Sequence, residues 1–383
     1  MSLISDNEAL AGFCDRLANT NFVTVDTEFL RDKTYWPRLC LIQVGGPEEE
    51  AAIDVLADGL ELGPLLDLMR KPDLLKVFHA ARQDFEILFR LMGELPAPVF
   101  DTQISAMVCG FGDSVGYETL VSQLAGQRID KSMRFTDWQR RPLSQKQLDY
   151  ALADVTHLRI VYEKLVELLQ KNDREEWVAE ELAALLDPAL YSFEPQNAWK
   201  RLKVRNPKPR LLAILREIAA WREKEAQSRD VPRNRIARDD ALIELAIQKP
   251  QSIEDLKNMR GLHGGQTKGE TAEKILSAVA RGLSIPKEDC PPAPKQRNNL
   301  PKAGPKADLL KVLLKMKCEE HSVAQKLIAN SDDIEELARN DNADIPALQG
   351  WRRKIFGEDA IALKNGKISL TVAGKTLQVV EIE

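Results

Sequence analysis

Two stretches far apart in the chain, Asp26-Thr27-Glu28 and Tyr150-Ala151-Leu152-Ala153-Asp154, carry residue types that together make a metal site. In Phe22-Val23-Thr24-Val25-Asp26-Thr27-Glu28-Phe29 the β-branched and aromatic residues predict a strand, where side chains two apart share a face. Asp26 and Glu28 then converge. The segment Ser144 to Leu169 has helical spacing with neither Gly nor Pro, so Tyr150 and Asp154, four apart, lie one above the other. A fourth acid, Asp84, follows the apolar strand Leu74-Leu75-Lys76-Val77-Phe78-His79-Ala80 and falls in the first turn of an amphipathic helix. Helix starts beside strand ends are where α/β sheets collect ligands. Oxygen-only donors suit Mg²⁺ or Mn²⁺ and not zinc, because no Cys or His cluster stands at zinc spacing.

The set Asp26, Glu28, Asp84 and Asp154, with Tyr150 four before the last acid, resembles the exonuclease superfamily named for its four acids and tyrosine, the DEDDy group. Asp130-Lys131-Ser132, Asp137-Trp138-Gln139-Arg140-Arg141-Pro142-Leu143 and Gln147-Leu148-Asp149-Tyr150-Ala151-Leu152-Ala153-Asp154-Val155 resemble the ribonuclease D family in particular. The resemblance spans essentially the whole chain, since the region after Asn206 is similar to the helical HRDC domains that follow the nuclease there. It implies a ribonuclease H-like fold and a 3′→5′ exoribonuclease that releases nucleoside 5′-monophosphates and trims tRNA precursors and other structured RNAs. It also implies two divalent cations, with Asp26 bridging them, Glu28 and Asp154 completing the nucleophile-generating site, and Asp84 acting through water. Hydrolysis of a phosphodiester needs a hydroxide near neutral pH, an in-line path and a sink for charge on the leaving 3′ oxygen, and a cation pair supplies all three. Tyr150, with an ordinary pKa near 10, is suited to orient water and unsuited to deprotonate it.

These side chains need a scaffold. Residues 22–29, 38–45 and 50–55 predict three consecutive strands joined by short turns, an antiparallel meander. A helix near 61–70, the strand 74–80, a helix from Asp84 and a short strand Pro98-Val99-Phe100-Asp101 then alternate, which predicts parallel crossovers. With the resemblance, the fold class is an α/β ribonuclease H-like exonuclease domain, a mixed five-stranded sheet flanked by helices, followed by two small all-α HRDC-like domains. The expected boundaries are 1–170 for the exonuclease, 171–205 for a connecting segment, 206–287 for the first HRDC domain, 288–306 for a linker and 307–383 for a second HRDC-like unit with a C-terminal hairpin. Cys290 to Lys306 holds five prolines, four basic residues and no acid, a composition that favours an extended, mobile chain. Leu327-Ile328-Ala329-Asn330-Ser331-Asp332 echoes Arg235-Ile236-Ala237-Arg238-Asp239-Asp240 and suggests an internal repeat. Gly261-Leu262-His263-Gly264-Gly265 reads as a tight turn between helices, with phosphate binding as the alternative.

Composition excludes little. The 383 residues, 44% hydrophobic and 30% charged, suffice for two or three domains, and the five cysteines have no CxxC pair. No membrane span is evident, and Ser5-Asp6-Asn7-Glu8 reads as a helix cap and not as an export signal, so a cytoplasmic monomer is expected. The net charge of −5 argues against nucleic acid, yet Lys200 to Arg210 carries six basic residues and no acid, enough for a salt-sensitive grip on RNA. Remaining candidates have two readings each. Phe29 and Leu30 wedge against terminal bases or pack; His79 sits near the site or in the core. Lys131, Arg140 and Arg141 line a substrate entrance, or Arg141-Pro142 merely introduces the helix of Tyr150. Trp177 and Trp199 read as packing anchors. The competing functions are a 3′→5′ DNA exonuclease of the same superfamily and a non-catalytic nucleic-acid adaptor.

Overall fold

The strand bearing Asp26 and Glu28 lies inside a six-stranded sheet. A computed structural model describes residues 3–293 and 303–382. The strands are β1 (Leu3–Ile4), β2 (Phe22–Leu30), β3 (Arg38–Gly45), β4 (Glu50–Ile53), β5 (Leu75–Phe78) and β6 (Val99–Asp101), in the order β1-β4-β3-β2-β5-β6. β3 pairs antiparallel with β4, whereas β5 runs parallel to β2, with Thr24 opposite Val77, and β6 runs parallel to β5. The expected five strands are therefore six. β1 has only two residues, too few to show a periodicity, and is held by parallel pairing with Ala52 and Ile53.

Helices α1 (Asn7–Leu17), α2 (Gly63–Arg70), α3 (Arg82–Met92), α4 (Thr102–Val108) and α5 (Tyr117–Leu124) connect and cover these strands. α6 (Gln145–Lys171) packs against β4, β5, α4 and α5 through a buried stripe of Leu148, Ala151, Val155, Leu158, Val161, Leu165 and Leu169, the three-and-four spacing of one helix face. It opens with a reciprocal capping box between Ser144 and Gln147. The segment read as a connector contains α7 (Glu175–Leu185), whose Val178 and Leu182 bury against Val108 and Leu169. Those two residues, four apart, are a helical signal that Pro188 and Pro195, close behind, masked.

The chain divides into two units. The first takes in residues 1–28, 40–188 and 301–383; the second takes in 29–39 and 189–300. The C-terminal helices thus share a unit with the nuclease sheet. They are α13 (Pro305–Glu320), α14 (Gln325–Ile328), α15 (Ser331–Arg339), α16 (Gly350–Arg352) and α17 (Glu358–Lys364), with a π-turn at Arg353–Gly357 and a hairpin of β7 (Ile368–Ala373) and β8 (Thr376–Glu381). Between Pro346 and Lys364 the chain is helical only in short pieces. On this side Trp177 stacks on Trp351 at 4.3 Å, Arg352 pairs with Glu180 and Glu181, and Arg174 donates to the carbonyls of Val108, His321 and Ser322. Trp177 is a packing anchor.

In the second unit α8 (Pro209–Ser228), α9 (Arg233–Ile236), α10 (Asp239–Gln248), α11 (Ile253–Lys257) and α12 (Gly269–Ser284) enclose one apolar core against which Trp199 also packs. Gln266 closes the glycine turn: its amide donates to the Ile236 carbonyl and its side-chain oxygen accepts from His263 N. The suggested repeat has a local counterpart. In both segments a four-residue helix ends at an extended alanine, Ala237 or Ala329, and a new helix starts two residues later. Residues 294–302, the middle of the expected linker, lie outside the described part. Among the described residues no helix is long and apolar enough to cross a membrane.

Candidate active site

β2 presents Asp26 and Glu28 toward the face on which α6 lies, and the close approach of α6 brings Asp154 to them. Two features permit that approach. Thr24 Oγ1 lies 2.9 Å from the Val155 carbonyl and 3.1 Å from that of Gly45, linking strand and helix. At Gly45 an added Cβ would come within 2.7 Å of Thr24 Oγ1 and 3.3 Å of Val155 Cβ. The result is a trio, Asp26, Glu28 and Asp154, whose ligand oxygens lie within 4.8 Å of one another.

Asp84 is held beside this trio and is not one of it. Its helix starts after Ala80, which adopts a left-handed φ of 56°, a conformation that costs a residue with a Cβ about 1–2 kcal/mol. Asp101 holds that turn, accepting from Ala80 N and Ala81 N, while the same carboxylate caps α4 through Gln103 N and Ile104 N. One carboxylate thus serves both helix starts. The Asp84 carboxylate then accepts a 2.5 Å hydrogen bond from Thr27, the residue between the two strand acids.

Four acids so placed resist ionising together. Burial, then the charges of Asp26, Asp154 and Asp84, push Glu28 up to about 10. Burial also raises Asp26, Asp84 and Asp154, and the Asp26 charge adds to the rise at the latter two. Such a site holds protons until cations replace them. An all-oxygen set, half-buried at Asp26 and Glu28, buried at Asp154 and short of positive charge, fits hard divalent cations, and these three are the residues that could hold them directly.

Tyr150 lines the same cavity as Asp154, and burial followed by the charges of Asp154, Glu28 and Asp26 raises its pKa further. The phenol stays protonated. A cavity of about 420 Å³ opens onto Asp26, Tyr150 and Asp154 and is also lined by His79, Gln103, Tyr117, Lys131 and Arg134.

His79 therefore reaches the site. Thr102 donates its proton to the Phe78 carbonyl, so His79 Nδ1, 3.0 Å from Thr102 Oγ1, must be the donor there. That leaves Nε2 of the neutral ring as an acceptor, and burial, partly offset by Asp101, lowers the pKa and favours the neutral form. Lys131 lines the cavity while paired with Glu118. Arg140 is exposed. Arg141 is not among the cavity-lining residues, and its guanidinium is taken up by Asp54 at 2.6 and 2.7 Å and by the carbonyls of Cys40, Trp138 and Arg140. It ties the start of α6 to the end of β4. Phe29 and Leu30 finish β2, half-buried, and are not among the cavity-lining residues.

Two neighbours escaped the sequence reading. Tyr117 donates a 2.5 Å hydrogen bond to the main-chain carbonyl of Asp154, and Arg134 lowers the pKa of both Glu28 and Tyr150 by its charge. The basic strip around residue 200 is partly spent on structure, since Arg201 pairs with Glu223 and Arg210 caps the end of α12 through three carbonyls.

Comparison with known proteins agrees with this geometry. Residues 1–170 match the 3′-5′ exonuclease family and residues 212–279 match the HRDC domain. A ribonuclease D of Granulibacter bethesdensis is 49% identical over 99% of this chain and 96% of its own length, and one of Acidiphilium cryptum is 51% identical over 99% and 97%. The crystal structure of Escherichia coli RNase D, described as an exoribonuclease involved in structured RNA processing, superposes with a TM-score of 0.81 at 29% identity, covering 94% of this chain and 98% of that one. Acids, tyrosine, fold and near full-length likeness coincide, and the chain belongs to the ribonuclease D family of 3′→5′ exoribonucleases.

Proposed function

We propose that this enzyme shortens RNA one nucleotide at a time from the 3′ end, releasing nucleoside 5′-monophosphates and trimming tRNA precursors and other structured RNAs. The proposal rests chiefly on the carboxylate trio of Asp26, Glu28 and Asp154 with Tyr150 beside it in the same cavity. Two Mg²⁺ or Mn²⁺ ions bound by these acids would generate the nucleophile and absorb charge on the leaving 3′ oxygen. Asp26 and Glu28, fixed by one strand, and Asp154, fixed by Thr24 and Tyr117, define where the scissile phosphate rests. Asp84, occupied by Thr27, contributes through water. Tyr150 keeps its proton and orients the attacking water through its hydroxyl. Arg134 and Lys131 place positive charge at the cavity wall, where the phosphate enters. The second unit carries the HRDC domain, and we read the C-terminal helices as a second, diverged copy, on the repeated course at Ala237 and Ala329; both would hold the RNA body.

The test is a time course on 5′-labelled RNA with a single-stranded 3′ tail, with Mg²⁺, with EDTA and with Asp154→Asn, beside the matching DNA. A ladder shrinking from the 3′ end only in wild type with metal, faster on RNA, is expected. Equal shortening of DNA would remove the RNA preference, and binding without shortening of either strand would leave an adaptor.

A further inference from the structure

Phe135 is the most exposed of the large apolar side chains among the described residues, at 90%, and it stands beside the acid cavity in a turn that is otherwise tied down. Asp130 caps the turn at Lys131–Met133 by accepting from Ser132 N, and Arg134 N and Thr136 N close onto the carbonyls of Lys131 and Met133. Thr136 accepts from Gln147, the residue that also completes the cap of α6, and Trp138, 2% exposed, packs its ring 6.1 Å from that of Tyr150. The C-terminal flank of Phe135 is thus anchored to the helix that supplies Tyr150 and Asp154, while the N-terminal flank closes on its own turn. The ring is held outward by that framework.

Its nearest charged neighbour completes the picture. The Arg134 guanidinium lies 5.2 Å from the Phe135 ring centroid, lines the cavity and is felt electrostatically by Glu28 and Tyr150. A ligand that satisfies this corner must bring negative charge to Arg134 and a flat apolar surface to Phe135. A nucleotide of an unpaired strand carries both, because its base is free to stack on an aromatic ring.

Resting on the exoribonuclease reading, we propose that Phe135 is a stacking platform for one nucleobase of the single-stranded RNA 3′ tail, and so a positioning residue for the strand. Phe135 is not part of the cavity lining, so the base it receives belongs to a nucleotide upstream of the terminal one. Stacking there registers the strand before each cut and demands an unpaired tail longer than one nucleotide.

The experiment measures binding by fluorescence anisotropy with 5′-labelled RNA, Mg²⁺ and the Asp154→Asn background, walking a single abasic site back from the 3′ end. One upstream abasic position should weaken binding roughly five- to a hundredfold. Adding Phe135→Ala should weaken binding to intact RNA by a similar factor and erase the penalty at that position, while Phe135→Trp retains both. In active enzyme, Phe135→Ala should raise KM more than it lowers kcat. An abasic penalty unchanged by Phe135→Ala, or equal KM for Phe135→Ala and wild type on an RNA that wild type shortens, overturns the stacking role alone. Failure of wild type to shorten any RNA overturns the exoribonuclease reading on which it rests.

Discussion

Glu28 concentrates the electrostatic character of the site. In the folded, metal-free protein its carboxyl keeps a proton up to about 10, whereas in the unfolded chain it ionises near 4.3. The folded state therefore binds more protons throughout that window, and by linkage the metal-free enzyme loses stability as pH rises from roughly 5 toward 10. Thermal unfolding in EDTA should show a steeper fall in Tm between pH 6 and pH 9 for wild type than for Glu28→Gln. Equal slopes would mean that Glu28 ionises as an ordinary surface acid. Because cations displace these protons, Mg²⁺ should protect more strongly at the higher pH. For Tyr150, whose phenol keeps its proton, Tyr150→Phe should lower kcat by roughly 10²-fold, the usual cost of deleting one catalytic hydrogen-bond donor, with metal binding by calorimetry retained. Unchanged turnover would sink its water-orienting role.

At the scale of elements, the distance between β2 and α6 is the quantity that matters. Gly45 sits where a Cβ would press on Thr24 and Val155, so Gly45→Ala should move the helix that carries Asp154 or break the Thr24 link. A cost of about 1–3 kcal/mol in denaturant unfolding is expected from overpacking. A drop in kcat on top of it, in protein that remains folded, would mark the helix shift. A stability loss with kcat intact would show that the acids tolerate the displacement. Tyr117 and Arg141 serve the same spacing from other sides, one through the Asp154 carbonyl and one through Asp54.

For the whole molecule, the C-terminal helices belong to the nuclease unit and not to an independent appendage. Their junction with α7 is built from the stacked Trp177 and Trp351 and the charges around Arg352. Trp351→Ala should remove about 3–5 kcal/mol, the range for deleting a buried aromatic, from a single unfolding transition shared by the sheet and the C-terminal helices. Two separate transitions, with that of the nuclease unchanged, would contradict one cooperative unit. The second unit includes residues 29–39, the chain that leaves the catalytic strand. There Tyr35 hydrogen-bonds Glu223, and Arg233 closes on both at 2.7 to 3.1 Å.

By itself the sequence determined everything with a local period or a fixed spacing. Alternation placed Asp26 and Glu28 on one face, helical spacing joined Tyr150 to Asp154, and residues 38–45 and the C-terminal hairpin follow from runs of apolar and β-branched residues. The two-residue β1 and the helix α7 were hidden, one because it is too short to show a pattern and the other because Pro188 and Pro195 follow closely after it. Only the tertiary structure decided that Asp84 turns to Thr27, that Arg141 serves Asp54, that Tyr117 and Arg134 reach the site, and which helices share a unit with the nuclease. Each of those depends on partners distant in the chain, whose contacts arise from packing and leave no period in the sequence for a reader to find.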